Sequence, residues 1–200
     1  MPPEDLASPR TRHVIVDMQR IFAEDTPWHT PALTEILPNV TALARAFEGR
    51  NHFAKFMVPA APHHADGRWQ NYYERWSMLT TQEMDAAMLD IVSPLEALVE
   101  PERLIEKPTY SIFKVPGVME GLRADGVETL IFSGVETDIC VLAGLMEAVD
   151  AGFHTVVVGD AVGSSAPQSH AAILGHVLPR MPEQVDIMTT ADVVARAKRS

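Results

Sequence analysis

The grouping of apolar residues is the strongest constraint on this chain. Short runs within residues 13–17, 53–58, 104–105, 130–132, 154–158 and 185–188 are apolar without alternation. A strand with one wet face alternates apolar and polar residues, whereas a strand covered on both faces reads as a continuous run. Between the runs lie stretches long enough for helices, several with apolar residues three and four apart. The pattern predicts an α/β fold: a mostly parallel sheet with helices on both faces and right-handed crossovers. Ligands in such sheets bind beyond the carboxyl ends of the strands.

Helices are expected over 31–49, where Leu33, Ile36, Leu37, Val40, Leu43, Ala44 and Phe47 form one side, and over 118–125, ended by Gly126. Further helices are expected after Cys140, over 168–178 and over 190–199, with a short one over 82–89. Residues 59–81, rich in Pro, His, Trp and Tyr, show no clean period, and loops of that length are usually functional. Two hundred residues suit one domain, taken as 13–200. Residues 1–12, polar and proline-bearing, read as a loose leader without a signal-peptide core. Lys and Arg number 16 against 27 Asp and Glu, a formal net charge of −11. That balance argues against nucleic acid or an anionic membrane as partner. A lone cysteine excludes an internal disulfide and fits the reducing cytoplasm. No apolar stretch approaches the ~20 residues of a membrane span.

That cysteine, Cys140, follows the run 130–132. Gly134 is expected to break the strand, and Thr137 and Asp138 are good helix N-caps. Ile139, Leu142, Leu145, Met146 and Val149 then recur at helical spacing. The sulfur is thus expected in the first turn of a helix, where free N–H groups and the helix dipole lower a thiol pKa and hold an oxyanion. The same features suit a buried structural cysteine. Asp17 and Lys107 also stand at predicted strand ends, and a parallel sheet brings all three to one edge. Each has a plainer use, Asp17 as a turn cap and Lys107 as a solvated lysine. Together they make a nucleophile, a proton acceptor and a stabilising cation. His13 and His154 read as structural histidines, and His170 and His176 lie on a predicted helix.

The chain resembles the isochorismatase-like cysteine hydrolases, the group of nicotinamidases, N-carbamoylsarcosine amidase, ureidoacrylate and biuret hydrolases, and isochorismatases. The matching motifs, in order, are Val16-Asp17-Met18-Gln19 with Phe22, then Lys107-Pro108-Thr109-Tyr110-Ser111-Ile112-Phe113, Gly134-Val135-Glu136-Thr137-Asp138-Ile139-Cys140, and Asp160-Ala161-Val162-Gly163-Ser164-Ser165. The resemblance implies a three-layer, doubly wound, six-stranded sheet and a catalytic triad of Asp17, Lys107 and Cys140. It also implies a cis peptide between Val135 and Glu136, with the N–H groups of Glu136 and Cys140 as oxyanion hole. The implied activity is hydrolysis of a small amide or ureide through a thioester, without metal or other cofactor, in a homo-oligomer (dimer or tetramer).

Nicotinamidases of this group carry an Asp-x-His and a further His that bind a metal. Here the stretch 58–66 lacks the leading Asp; His63, His64 and Asp66 are residue types that suit zinc or iron, but their spacing reads as a solvated loop. Phe22, Trp69, Tyr73, Trp76 and Tyr110 are candidate substrate-binding residues, and Arg75 or Arg68 a candidate for a substrate carboxylate. The cluster Trp69, Tyr72, Tyr73, Trp76 also fits a satellite core or an oligomer contact. Alternative functions are vinyl-ether cleavage of the isochorismatase type, a non-catalytic ligand-binding member of the fold, and a redox-sensing thiol, for which no resolving cysteine is available.

Overall fold

The chain lays down strands β1 (Thr11–Val16), β2 (Asn51–Phe56), β3 (Leu104–Lys107), β4 (Thr129–Val135), β5 (His154–Gly163) and β6 (Val185–Met188). In the computed structural model, which describes residues 6–198, they form one sheet in the order β3-β2-β1-β4-β5-β6. Every pair is parallel, so the sheet is parallel throughout. Helices among the described residues are α1 (Arg20–Ala23), α2 (Ala32–Ala46), α3 (Arg68–Arg75), α4 (Val118–Ala124), α5 (Leu142–Asp150), α6 (Pro167–Ala172) and α7 (Thr190–Ala197). The chain winds outward from β1 to β3, then returns to β4 and winds the other way. Right-handed crossovers in opposite directions put α2 and α5 on opposite faces. The strand order reverses between β1 and β4, which is where such sheets open a crevice at their carboxyl edge.

Several boundaries depart from the sequence reading, each for a local reason. Residues 1–5 of the expected leader and residue 199 of the expected last helix lie outside the described residues. The rest of the leader is not loose: Leu6 is fully buried and β1 begins at Thr11. The Arg50 guanidinium donates to the carbonyls of Leu6, Ala7 and Ser8. Gly134 does not break its strand but lies within β4 at φ 107°, where a Cβ would stand 2.1 Å from the Val16 carbonyl oxygen. Only glycine lets β4 pass so close to the end of β1. Over 82–89, Asp85 caps a 3₁₀ turn at Ala86–Leu89 in place of a longer helix. The expected helix over 168–178 is α6 followed by a wide π turn, Ile173–Val177, and a 3₁₀ turn.

Beneath the sheet's edge lies a buried polar relay. The Asn51 amide nitrogen donates to the Ala44 carbonyl at 2.8 Å, which turns Asn51 Oδ1 toward His13. His13 Nδ1 therefore donates to Asn51 at 2.9 Å, and Nε2 accepts the Ser133 hydroxyl at 2.8 Å. Both ring nitrogens are satisfied in the neutral form. Burial lowers the His13 pKa from 6.5 to about 4, against the pull of the Asn51 hydrogen bond. As pH falls below about 6.5 the unfolded chain takes up a proton that the native state refuses until about pH 4, so stability declines across that window. The expected loss from this residue is about 3 kcal/mol. Urea midpoints at pH 7 and pH 4.5 measure it, and the His13→Gln variant is expected to show a flatter acid-side decline than the parent.

Candidate active site

Asp17, Lys107 and Cys140 come together at the carboxyl edge of the sheet. Asp17 follows β1 with φ 53°, a left-handed conformation that side-chain-bearing residues rarely take. Its N–H donates to Ala54 and its carbonyl accepts from Gln19, so the turn is held on both sides. Gln19, fully buried, braces this turn to β2: its Oε1 accepts the Phe56 N–H at 2.7 Å and its amide donates to the carbonyls of Phe56 and Leu89. Lys107 ends β3, two strands away from β1, and reaches over Phe56 with Nζ 4.7 Å from the ring centroid. Its ammonium donates to Asp17 Oδ2 at 2.8 Å and to the Thr109 carbonyl at 3.3 Å. Both members of this ion pair are sealed from solvent. Asp17 Oδ1 is buried with no hydrogen-bond partner of its own.

Cys140 does not sit in the first turn of an α-helix. It lies in a π turn, Thr137–Val141, that precedes α5 and in which the Val141 N–H bonds to the Glu136 carbonyl at 3.1 Å. Such wide turns recur at functional sites. Thr137 and Asp138 do not cap it. Thr137 pairs with His170 Nδ1 at 2.9 Å, and Asp138 accepts the Ser164 hydroxyl at 2.6 Å. Glu136 Oε1 accepts from the Thr30 hydroxyl and the Ser165 N–H. Three successive side chains thus fasten the cysteine turn to the segments after β5 and before α2. The peptide between Val135 and Glu136 is cis.

The electrostatics correct the expected low thiol pKa. Burial pushes the Cys140 thiol well up, the Asp17 carboxylate pushes it further, and Lys107 opposes both. Burial also raises Asp17, against Lys107 and the thiol. Two acids beside one ammonium share a single negative charge readily and a second one poorly. Asp17 and Lys107 thus form a buried ion pair beside a thiol whose ionisation burial and the carboxylate both oppose.

Cys140, 7% exposed, opens onto a hollow of about 380 Å³. Three of the five candidate substrate-binding residues line it: Phe22, Trp76 and Tyr110. Trp69 and Tyr73 do not. Residues 69, 72, 73 and 76 are spaced as a helix, and α3 divides them between two faces. Tyr72, Arg75 and Trp76 border the hollow, whereas Tyr73 is buried in the core and Trp69 packs behind Tyr110 at 4.8 Å. Arg75 is the arginine at the hollow, while Arg68 bonds to Asn71 on the surface.

Sequence reasoning missed Trp28, the hub of the wall. It stacks on Phe22 at 6.0 Å and meets Phe56 and Trp76 edge-on at 5.8 and 6.4 Å. It sits in the irregular stretch between α1 and α2, where no period marks it; a tryptophan in so polar a stretch was the available signal. Phe56 and Ser165 also line the hollow. His63 and His64 lie in an exposed 3₁₀ turn with rings 4.2 Å apart, and neither they nor Asp66 border the hollow. Among the described residues no three His, Cys, Asp or Glu side chains are grouped as metal ligands. The stretch does not fit a metal centre beside Cys140.

A family model of the isochorismatase domain matches residues 11–192. The chain belongs to the isochorismatase family, and its relatives include hydrolases of carbon–nitrogen bonds other than peptide bonds. It is 32% identical over 102 residues to the ureidoacrylate amidohydrolase RutB of Methylobacterium radiotolerans, an alignment covering 50% of this chain and 38% of that protein's length. With nicotinamidase 3 of Arabidopsis thaliana it shares 26% identity, over 80% of this chain and 77% of the relative. The fold matches that of a cysteine hydrolase from Pseudomonas syringae pv. phaseolicola 1448A with a TM-score of 0.78, at 20% identity and over 96% and 94% of the two chains.

Replacing Asp17 by Asn removes the carboxylate that holds the thiol up and leaves Lys107 beside it. The alkylation midpoint of Cys140 is then expected to fall by about one pH unit or more. Iodoacetamide rates measured across pH give that midpoint for both proteins.

Proposed function

We propose that this chain is a cysteine amidohydrolase that cleaves the C–N bond of a small, planar amide or ureide carrying an anionic group. The observation that carries the reading is the thiol of Cys140 facing the Asp17–Lys107 pair at the floor of an aromatic hollow. Asp17 takes the thiol proton as the sulfur attacks the carbonyl carbon, and a C–S bond forms. Lys107, buried beside Asp17, offsets the negative charge that develops. The N–H groups of Glu136 and Cys140 are the donors for the tetrahedral oxyanion, each worth roughly 3 kcal/mol. As the C–N bond breaks, Asp17 returns the proton to the departing nitrogen, which leaves as ammonia or an amine. A water molecule then gives its proton to Asp17 and its oxygen to the thioester carbon, which releases the acid and restores the thiol. No step in this scheme requires a cofactor.

The walls support the substrate class. Flat rings of Phe22, Trp28, Phe56 and Tyr110 favour a planar molecule, and a hollow of about 380 Å³ favours a small one. Arg75 borders the hollow and makes no ion pair among the described residues; its guanidinium lies 4.7 Å from the centroid of the neighbouring Trp76 ring and is suited to a carboxylate. No helix of the described residues is long and apolar enough to cross a membrane. The single unpaired cysteine supports a reducing, cytoplasmic setting. A homo-oligomer, dimer or tetramer, is proposed on the resemblance alone.

A panel containing nicotinamide, ureidoacrylate and N-carbamoyl amino acids, assayed for ammonia release, is expected to return at least one substrate. Cys140→Ala should lower its turnover by about 10⁴-fold or more while leaving the circular dichroism spectrum in place. Undiminished ammonia release by that variant would falsify the assignment. Arg75→Gln is expected to raise KM at least ~10-fold for carboxylate-bearing substrates and little for neutral ones; steady-state kinetics on a matched acid and neutral pair measures the difference.

A further inference from the structure

The hollow holds one charged side chain that these steps leave unused. Glu136 borders it four positions before the nucleophile. Its Oε1 is committed to the Thr30 hydroxyl at 3.2 Å and the Ser165 N–H at 2.8 Å, and Oε2 makes no hydrogen bond. Glu136 and Arg75 are the formally charged residues that line the hollow, and no salt bridge among the described residues involves either. The Tyr72 hydroxyl lies in the field of both: the carboxylate adds to the rise that burial imposes on its pKa, and the guanidinium opposes it. Tethering by Thr30 and Ser165 fixes the carboxylate at the border of the hollow and leaves its second oxygen without a hydrogen-bond partner among the described residues.

A carboxylate accepts hydrogen bonds and cannot donate them. Beside a reacting carbonyl group it attracts N–H and repels another lone-pair oxygen. An amide or carbamoyl nitrogen carries N–H; the alkoxy oxygen of an ester carries lone pairs alone. We propose that Glu136 Oε2 is a specificity-determining acceptor for the N–H of the group being cleaved, and so biases this enzyme toward amides and ureides over esters of the same acyl group. Holding the N–H at Glu136 also leaves the nitrogen lone pair, as it develops, free to face the proton on Asp17. The proposal rests on the cysteine-amidohydrolase reading.

The test compares the primary amide that turns over best in the panel with the methyl ester of the same acyl group. Glu136→Gln keeps an oxygen for Thr30 and Ser165 but replaces Oε2 with a donor. The amide kcat/KM is expected to fall ~10- to 100-fold, and the amide-to-ester ratio at least ~10-fold. Thr30→Val, which loosens the tether and spares Oε2, should move both substrates by similar factors. Equal losses on amide and ester in Glu136→Gln, or an unchanged ratio, overturn the proposal while leaving the hydrolase intact. The unmodified protein supplies a test that needs no variant: it should turn over the amide faster than the intrinsically more reactive ester, and a faster ester overturns the proposal. Absence of any amide hydrolysis by the unmodified protein overturns the amidohydrolase reading and this inference together.

Discussion

The buried pair between Asp17 and Lys107 is the interaction on which the rest of the site depends. Taking two charges out of water costs several kcal/mol, and a hydrophobic pair of similar volume is often at least as stable. Such a pair is weak evidence of a stabilising role. Here one carboxylate oxygen is bound to the ammonium and the other has no hydrogen-bond partner. The thiol beside them has its pKa raised by that same carboxylate. The arrangement fits the proposed role of Asp17 as a base paired with a cation, beside the one thiol whose proton it would take. A left-handed backbone at Asp17 adds to the cost, and backbone strain of this kind concentrates where function requires it.

Much of this was legible in the sequence because it follows from periodicity and from strand ends. Continuous apolar runs mark strands covered on both faces, and those runs locate all of the sheet. Asp17, Lys107 and Cys140 are each readable as residues at the end of a strand, and a parallel sheet leaves them one edge to share. Less legible were features that depend on distant partners. Gly134 looks like a strand breaker until the carbonyl of Val16 is seen to lie where its Cβ would be. Thr137 and Asp138 look like helix caps until their bonds to His170 and Ser164 are seen.

The wall of the hollow shows the same limit from another side. Helix α3 is mostly polar, so its apolar count hid a period that the aromatic residues 69, 72, 73 and 76 carry by themselves. Its two aromatic stripes face different neighbours, which explains why Trp76 borders the hollow and Tyr73 does not. Trp28 belongs to no periodic element, and nothing local announces that it gathers the rings of Phe22, Phe56 and Trp76 around itself. The thiol pKa was misjudged for a related reason. A helix terminus and a lysine argue for a thiolate, but burial of the sulfur, and then the Asp17 carboxylate that Lys107 already serves, push the other way, and neither is readable from spacing.

The chain has three tryptophans, and all of them belong to this one aromatic wall. Trp28 and Trp76 border the space that a bound molecule fills, and Trp69 stands one ring behind. Intrinsic ultraviolet emission of the protein therefore comes from a single neighbourhood, with no distant indole to dilute it. Colour and intensity changes on titration report occupancy of the cleft directly, so the molecule carries its own optical probe for finding what it binds.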